Sequence, residues 1–282
     1  MSCKLVIVEG LPGSGKSTHA KWVQELLMEK GIDARLFAEG NLDHPADYDG
    51  VACFEQDEYN NLLLEYPSSN EIIEERTIKQ GQYRLIPYRK MLEENGSDLP
   101  AELMKEIFQK DIYELPFEKH VQIVTDKWIR FAEAAHQGAV TYVFECCFIQ
   151  NPMTIGLVKY DTPQWDIFNY ILKLEATIKD LNPLVIYVNQ NDVKASFEKA
   201  VQDRPQEWSE GFIDYYTNQG FGLTEGLSGL EGTIEVLRQR KKLELHVFSL
   251  LNMNKALLDN SQLDSERSKQ ELRGILEEIV WK

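Results

Sequence analysis

Gly10-Leu11-Pro12-Gly13-Ser14-Gly15-Lys16-Ser17-Thr18 fits the pattern G-x-x-x-x-G-K-[ST] of a phosphate-binding loop. The pattern carries weight only between a strand and a helix, and both neighbours are here. Lys4-Leu5-Val6-Ile7-Val8 is a short apolar run rich in β-branched residues and reads as a buried parallel strand. Beyond the loop, Ala20, Val23 and Leu27 recur at helical spacing, with Trp22 and Leu26 beside them, and Gly31 stands where a helix would end. In that setting the glycines let main-chain N–H groups close around phosphate oxygens, and the helix N-terminus adds positive potential. Lys16 is placed to reach β- and γ-phosphates, and the Ser17 hydroxyl to ligate Mg²⁺.

At 282 residues and 43% hydrophobic content, the chain has room for one large α/β domain or a core with an inserted lobe. No run of about eighteen apolar residues occurs, so no membrane span is expected. Met-Ser-Cys-Lys leads straight into the first strand and does not read as a signal peptide. A net charge of −16 argues against a nucleic-acid partner or an anionic membrane surface, though a nucleotide needs only a local basic pocket. Cys3, Cys53, Cys146 and Cys147 lack C-x-x-C spacing and read as reduced thiols of a cytoplasmic protein, not a disulfide frame or a zinc site.

A second strand, Asp33 to Glu39, gives way to the polar stretch Gly40 to Asp47. Ligands of open α/β sheets bind outside the carboxyl ends of the strands, which makes Glu39, His44 and Asp47 candidates for substrate contact. From about 54 to 138 the pattern shows no strand. It reads as a helical substrate lobe, with helices at 54–66, 70–94, 100–115 and 117–137, in a single domain spanning 1–282. Within that lobe a basic, aromatic segment contains Arg84, Tyr88 and Arg89 around Ile86-Pro87, suited to an anionic or aromatic substrate. Arg130, three residues after Lys127 on the last helix, is a further candidate.

Ala139 to Glu145 is an apolar strand ending in a carboxylate. Glu145 can hold Mg²⁺ through water or take a proton from an attacking hydroxyl; the sequence leaves both roles open. Cys146 to Pro152 reads as a loop. A helix over 165–179 precedes a fourth strand, Leu184 to Val188, and a helix with Val193, Phe197 and Val201 on its buried face. Arg204 stands before Pro205, at the start of a lid over about 200–230, where it could neutralise a transferring phosphoryl group. The glycines from 220 to 232 suggest a flexible stretch. Leu243 to Ser249 reads as the fifth strand, which puts Asn252 after it, as a candidate for reading an adenine edge. A last helix covers 265–281, and Trp281 packs either internally or between two copies of a homodimer.

Glu9 with the loop from Gly10 to Thr18 resembles the first loop of thymidylate kinases and deoxynucleoside kinases. The order of parts is similar too: phosphate loop, helical lobe, acid at a strand end, arginine-bearing lid and late base-binding loop. The resemblance implies a P-loop NTPase three-layer α/β sandwich, with a central, mostly parallel five-stranded sheet and a large helical insertion. It implies ATP-Mg²⁺ as donor and a small-molecule acceptor, with Lys16 and Arg204 stabilising the transferred phosphoryl. Those kinases follow the strand-end acid with arginine; here Glu145 is followed by Cys146. The expected activity is a phosphotransferase acting on a nucleoside, nucleotide or antibiotic-like compound. The alternatives are a switch ATPase acting through a protein partner and a nucleic-acid-directed kinase, which the acidic balance disfavours.

Overall fold

The computed structural model describes residues 2–95 and 99–281. The strands are β1 (Leu5–Glu9), β2 (Ala34–Phe37), β3 (Ala52–Glu55), β4 (Ile78–Gln80), β5 (Tyr83–Ile86), β6 (Thr141–Glu145), β7 (Leu184–Asn189) and β8 (Asn254–Asp259). The helices are α1 (Lys16–Glu29), α2 (Gln56–Glu65), α3 (Asn70–Arg76), α4 (Tyr88–Asn95), α5 (Ala101–Gln109), α6 (Phe117–Gln137) and α7 (Gln150–Met153). They continue with α8 (Gln164–Ile178), α9 (Val193–Gln202), α10 (Gln206–Thr217), α11 (Gly220–Thr224), α12 (Gly229–Leu250) and α13 (Ser265–Ile279). The chain divides into two compact units, Met1–Glu39 with Trp128–Lys282, and Gly40–Lys127.

The first unit is α/β. Its five strands lie in the order β2-β6-β1-β7-β8, and every neighbouring pair is parallel. β1 and β7 are buried along their whole length, which explains why each is apolar up to its last residue, Glu9 and Asn189. Val6, Val8, Ile186, Val188 and Leu258 pack with Ala20, Val23 and Leu27 of α1 and Leu272 and Leu276 of α13. Elsewhere in the unit Phe144 meets Trp128 and Phe131 of α6, and Tyr187 meets Phe248 of α12. Because all five strands run the same way, Glu9, Glu145, Asn189 and Asp259 come out on one edge.

Three sequence expectations need correction in this unit. Leu243 to Ser249 is not a strand; it is the C-terminal part of α12, and the fifth strand is β8. The buried face of α12 includes Leu237, Arg240, Leu243, Glu244, Val247 and Phe248. Charged residues on that face interrupt the apolar period, and the remaining alternation mimics a strand. The glycine-rich stretch is also structured, carrying α11 and the start of α12. A Cβ on Gly222 would lie 2.1 Å from the Tyr216 carbonyl oxygen, so that glycine serves close packing. The segment after β6 is not a plain loop either: α7 runs into a π-helical turn, Thr154–Lys159.

The second unit is not purely helical. It holds an antiparallel sheet of order β3-β5-β4, with β4 and β5 joined through Gly81 at φ 56°. Strands of three or four residues are too short to declare a period against the helices around them. The apolar faces of β3, β5, α2, α3, α4 and α5 share one core around Phe54, Leu62, Ile73, Ile86, Leu103 and Ile107.

Candidate functional site

The glycine loop leaves the buried end of β1 and turns directly into α1. Gly13 and Gly15 have φ of 81° and 92°, values that suit glycine and strain other residues. Space forbids a side chain as well: a Cβ at Gly13 would lie 2.5 Å from the Ser196 carbonyl oxygen, and one at Gly15 2.7 Å from Asn260 Nδ2. α1 begins without a side-chain cap and has no acidic residue in its first turn, so the loop's mouth keeps the positive end of the helix. The back of the loop is tied down by Asn260, which follows β8. Its Nδ2 donates to the Ser14 carbonyl at 2.8 Å, and its Oδ1 accepts from Ser268 at 3.0 Å.

Lys16 is 5% exposed and its ammonium lies 3.5 Å from the Glu39 carboxylate. Burial opposes its charge, but Glu39, Cys146 and Glu145 outweigh burial and hold its pKa above the ordinary lysine value. The Ser17 hydroxyl donates to Glu145, 128 positions away in the chain. The Glu145 carboxylate also accepts from the Glu39 N–H at 3.4 Å, which gathers Lys16, Ser17, Glu39 and Glu145 into one cluster.

Directly after Glu145 the chain makes a tight turn. Cys146 takes φ 59°, a conformation uncommon for a residue with a side chain and often found at functional sites. The turn presents the Phe148, Ile149 and Gln150 N–H groups to the Glu9 carboxylate, which accepts all three at 2.8, 2.9 and 3.0 Å. Burial pushes the Glu9 pKa up to about 7 against the opposing pull of those three donors.

Beside this cluster lies a cavity of about 480 Å³, bounded by the glycine loop, α7 with its π turn, α10 and α12. Arg204 reaches it and stacks on Trp208, its guanidinium carbon 4.1 Å from the ring centre. Deeper in the wall is Arg240, only 1% exposed. Its Nε donates to Glu244 at 2.6 Å, and Nη1 to Thr154 at 3.2 Å and to the Tyr216 hydroxyl at 2.5 Å. Tyr187 donates to the other Glu244 oxygen at 2.7 Å. Gln150 lines the cavity too and donates through Nε2 to Glu39 at 3.1 Å.

The chain matches no family model and no curated protein. The site therefore rests on its own geometry.

Of the residues singled out in the sequence, the loop, Glu39 and Glu145 come together, and Arg204 shares the cavity with Lys16 and Glu39. Arg130 is exposed on α6. Asn252 precedes β8 instead of following it, at the edge of the sheet away from the glycine loop, where its N–H donates to Glu175. The residue after the last strand is Asn260.

The other candidates belong to the second unit. His44 is buried, and burial with the nearby Lys127 lowers its pKa to about 3, so it is neutral at physiological pH. Asp47 accepts from the Tyr113 hydroxyl at 2.6 Å, and burial raises its pKa to about 6. Arg84 donates to the Gly81 and Tyr83 carbonyls at 3.3 and 3.0 Å, Tyr88 donates to Asp111 at 2.7 Å, and Arg89 pairs with Asp49.

Arg240, Gln150 and Asn260 escaped the sequence reading. Asn260 had a usable signal, a polar residue just past a strand at the carboxyl edge. Arg240 had none: it lies just before Leu243 to Ser249, the stretch misread as a strand, and that misreading hid its pairing with Glu244 one helical turn on.

Proposed function

We propose that this chain is an ATP-dependent phosphotransferase of the P-loop kind, moving the γ-phosphoryl of ATP to a small-molecule acceptor. The observation that carries the reading is the hydrogen bond between Ser17 and Glu145. It pairs the hydroxyl that directly follows Lys16 in the glycine-loop pattern with the acid at the end of the neighbouring parallel strand. That pairing is what a nucleotide-bound Mg²⁺ needs, since the ion favours one or two hard protein oxygens and takes its remaining ligands from phosphate and water. Among the described residues no group of three or more His, Cys, Asp or Glu forms a metal cage, and this kind of Mg²⁺ site requires none. When bound, the ion would neutralise charge on the phosphates.

The chain's own parts divide the remaining work. The uncapped first turn of α1 and the main chain from Gly10 to Thr18 receive phosphate oxygens. Lys16 trades Glu39 for phosphate and opposes the charge that develops on transfer. Ser17 and Glu145 hold the cation side, and the Ser17 contact favours that role for Glu145 over a base. Arg204, stacked on Trp208, has its guanidinium at the cavity for the transferring group. Catalysis of this type is positioning and charge neutralisation.

The test is Mg-ATP turnover by the purified chain, alone and with nucleosides, nucleoside monophosphates, sugars and hydroxylated antibiotics. The expected result is strong stimulation by one compound, its phosphorylated product seen by mass spectrometry, and loss of both in Lys16→Ala and Glu145→Gln. Slow hydrolysis that no compound changes would replace the kinase reading with that of a switch ATPase.

A further inference from the structure

We propose that the cavity beside the glycine loop takes an acceptor bearing an oxyanion, a carboxylate or a phosphomonoester, and that Arg240 is the residue that holds it. The word acceptor rests on the kinase reading; the anion site itself does not.

The argument begins with an incomplete set of hydrogen bonds. Arg240 carries five donors, and a buried guanidinium is tolerated only when they are used. Glu244, Thr154 and Tyr216 engage Nε and Nη1, while Nη2 is buried without a partner. Arg240 lines the cavity, and a purely structural Arg240–Glu244 pair gains nothing by leaving that buried donor unused, since it costs free energy and returns none. An oxyanion in the cavity supplies what is missing, and a guanidinium is shaped to hold carboxylate or phosphate. The network also fixes the head of the side chain from three directions, so it is ordered before a ligand arrives.

A second unpartnered atom lies in the same wall. Gln150 Oε1 is buried and accepts nothing, while Nε2 of the same amide is held by Glu39, the partner of Lys16. An acceptor that sets its anion on Arg240 can offer a hydroxyl to Gln150, on the side where Lys16 stands. The walls also fit a flat body: Trp208, Phe212 and Tyr216 all line the cavity, and the Phe212 and Tyr216 rings stack 4.0 Å apart. A volume of about 480 Å³ suits one small organic molecule.

Phenyl phosphate, benzoate and phenol share a ring and differ in the anion, and they can be titrated calorimetrically into the whole chain without ATP. The expected result is that phenyl phosphate, benzoate or both bind at least tenfold more tightly than phenol. Because Arg240→Gln alone would strand Glu244, the variant is Arg240→Gln with Glu244→Gln, its fold checked by circular dichroism. It is expected to lose the preference for the anion and to keep the affinity for phenol. Two results would overturn the proposal. One is no preference in the wild-type chain, including no binding of any probe. The other is a preference that survives the double variant but disappears in Lys16→Met, which would seat the anion on the glycine loop. Mg-ATP is titrated in parallel: its failure to bind would tell against the kinase reading while leaving the anion result standing.

Discussion

The two edges of the parallel sheet are made by the same five strands, yet they treat polar groups differently. At the amino edge the demands are met locally. Lys4 donates to the Ala135, His136 and Gly138 carbonyls, Glu175 accepts the Asn252 and Met253 N–H groups, and Lys255 donates to Ser249 and Leu251. A positive φ there falls on Asn182, a residue type that tolerates it. At the carboxyl edge the backbone holds positive φ at Gly13, Gly15 and Cys146, and Ser14 Oγ, Asn189 Oδ1, Gln150 Oε1 and Arg240 Nη2 are buried without partners. Trp281 Nε1 is an exception at the amino edge, buried without a partner; the carboxyl edge combines several such atoms with strain, the combination expected of an edge that receives a ligand.

Four changes would break or sharpen that contrast. Lys16→Ala should have the largest effect, lowering kcat for Mg-ATP turnover by roughly 10²–10³-fold; turnover that survives it would remove the carboxyl edge as the reactive one. Glu9 comes next. Its folded pKa of about 7 lies above the ordinary value of 4.5, so the stability it contributes is fully present below about pH 4.5 and is lost as pH rises through 7. The change is worth about 3 kcal/mol. Thermal melts of Glu9→Gln should therefore lack the decline between about pH 4.5 and 7 that this group adds to the wild-type chain. Glu145→Gln should cost about fifty- to a hundredfold in turnover with little change in melting temperature, because an amide oxygen still accepts from Ser17. The smallest effect belongs to the other edge: Glu175→Ala should cost about 1–2 kcal/mol in denaturant melts, by releasing two N–H groups, and leave turnover unchanged.

The carboxyl edge was also the more legible part in sequence. β1 and β7 are apolar up to their last residues because both faces are covered, and the glycine loop is spelled out by glycines at positions whose backbone suits no other residue. Glu145 stood out as the charge that ends an apolar run. The cavity wall did not, for a physical reason: Arg240 and Glu244 satisfy each other inside the fold, so α12 has two charged residues on its buried face and no clean apolar period. The small sheet of the second unit was lost because its strands are short and their pattern is swamped by neighbouring helices. Asn252 and Asn260 show how one misplaced strand shifts a whole inference: the polar residue after the last strand was sought eight positions too early.

The Glu9 carboxylate has one more consequence. By accepting the Phe148, Ile149 and Gln150 N–H groups, it removes three main-chain donors that open toward the end of β1. An anion in the neighbouring cavity would then have to find its donors in side chains, of which Arg240 is the one proposed above. Main-chain donors do not change with the side chain at their position, whereas an arginine can be exchanged by one codon change. A cavity arranged this way could change the anion it prefers while the glycine loop beside it stayed the same.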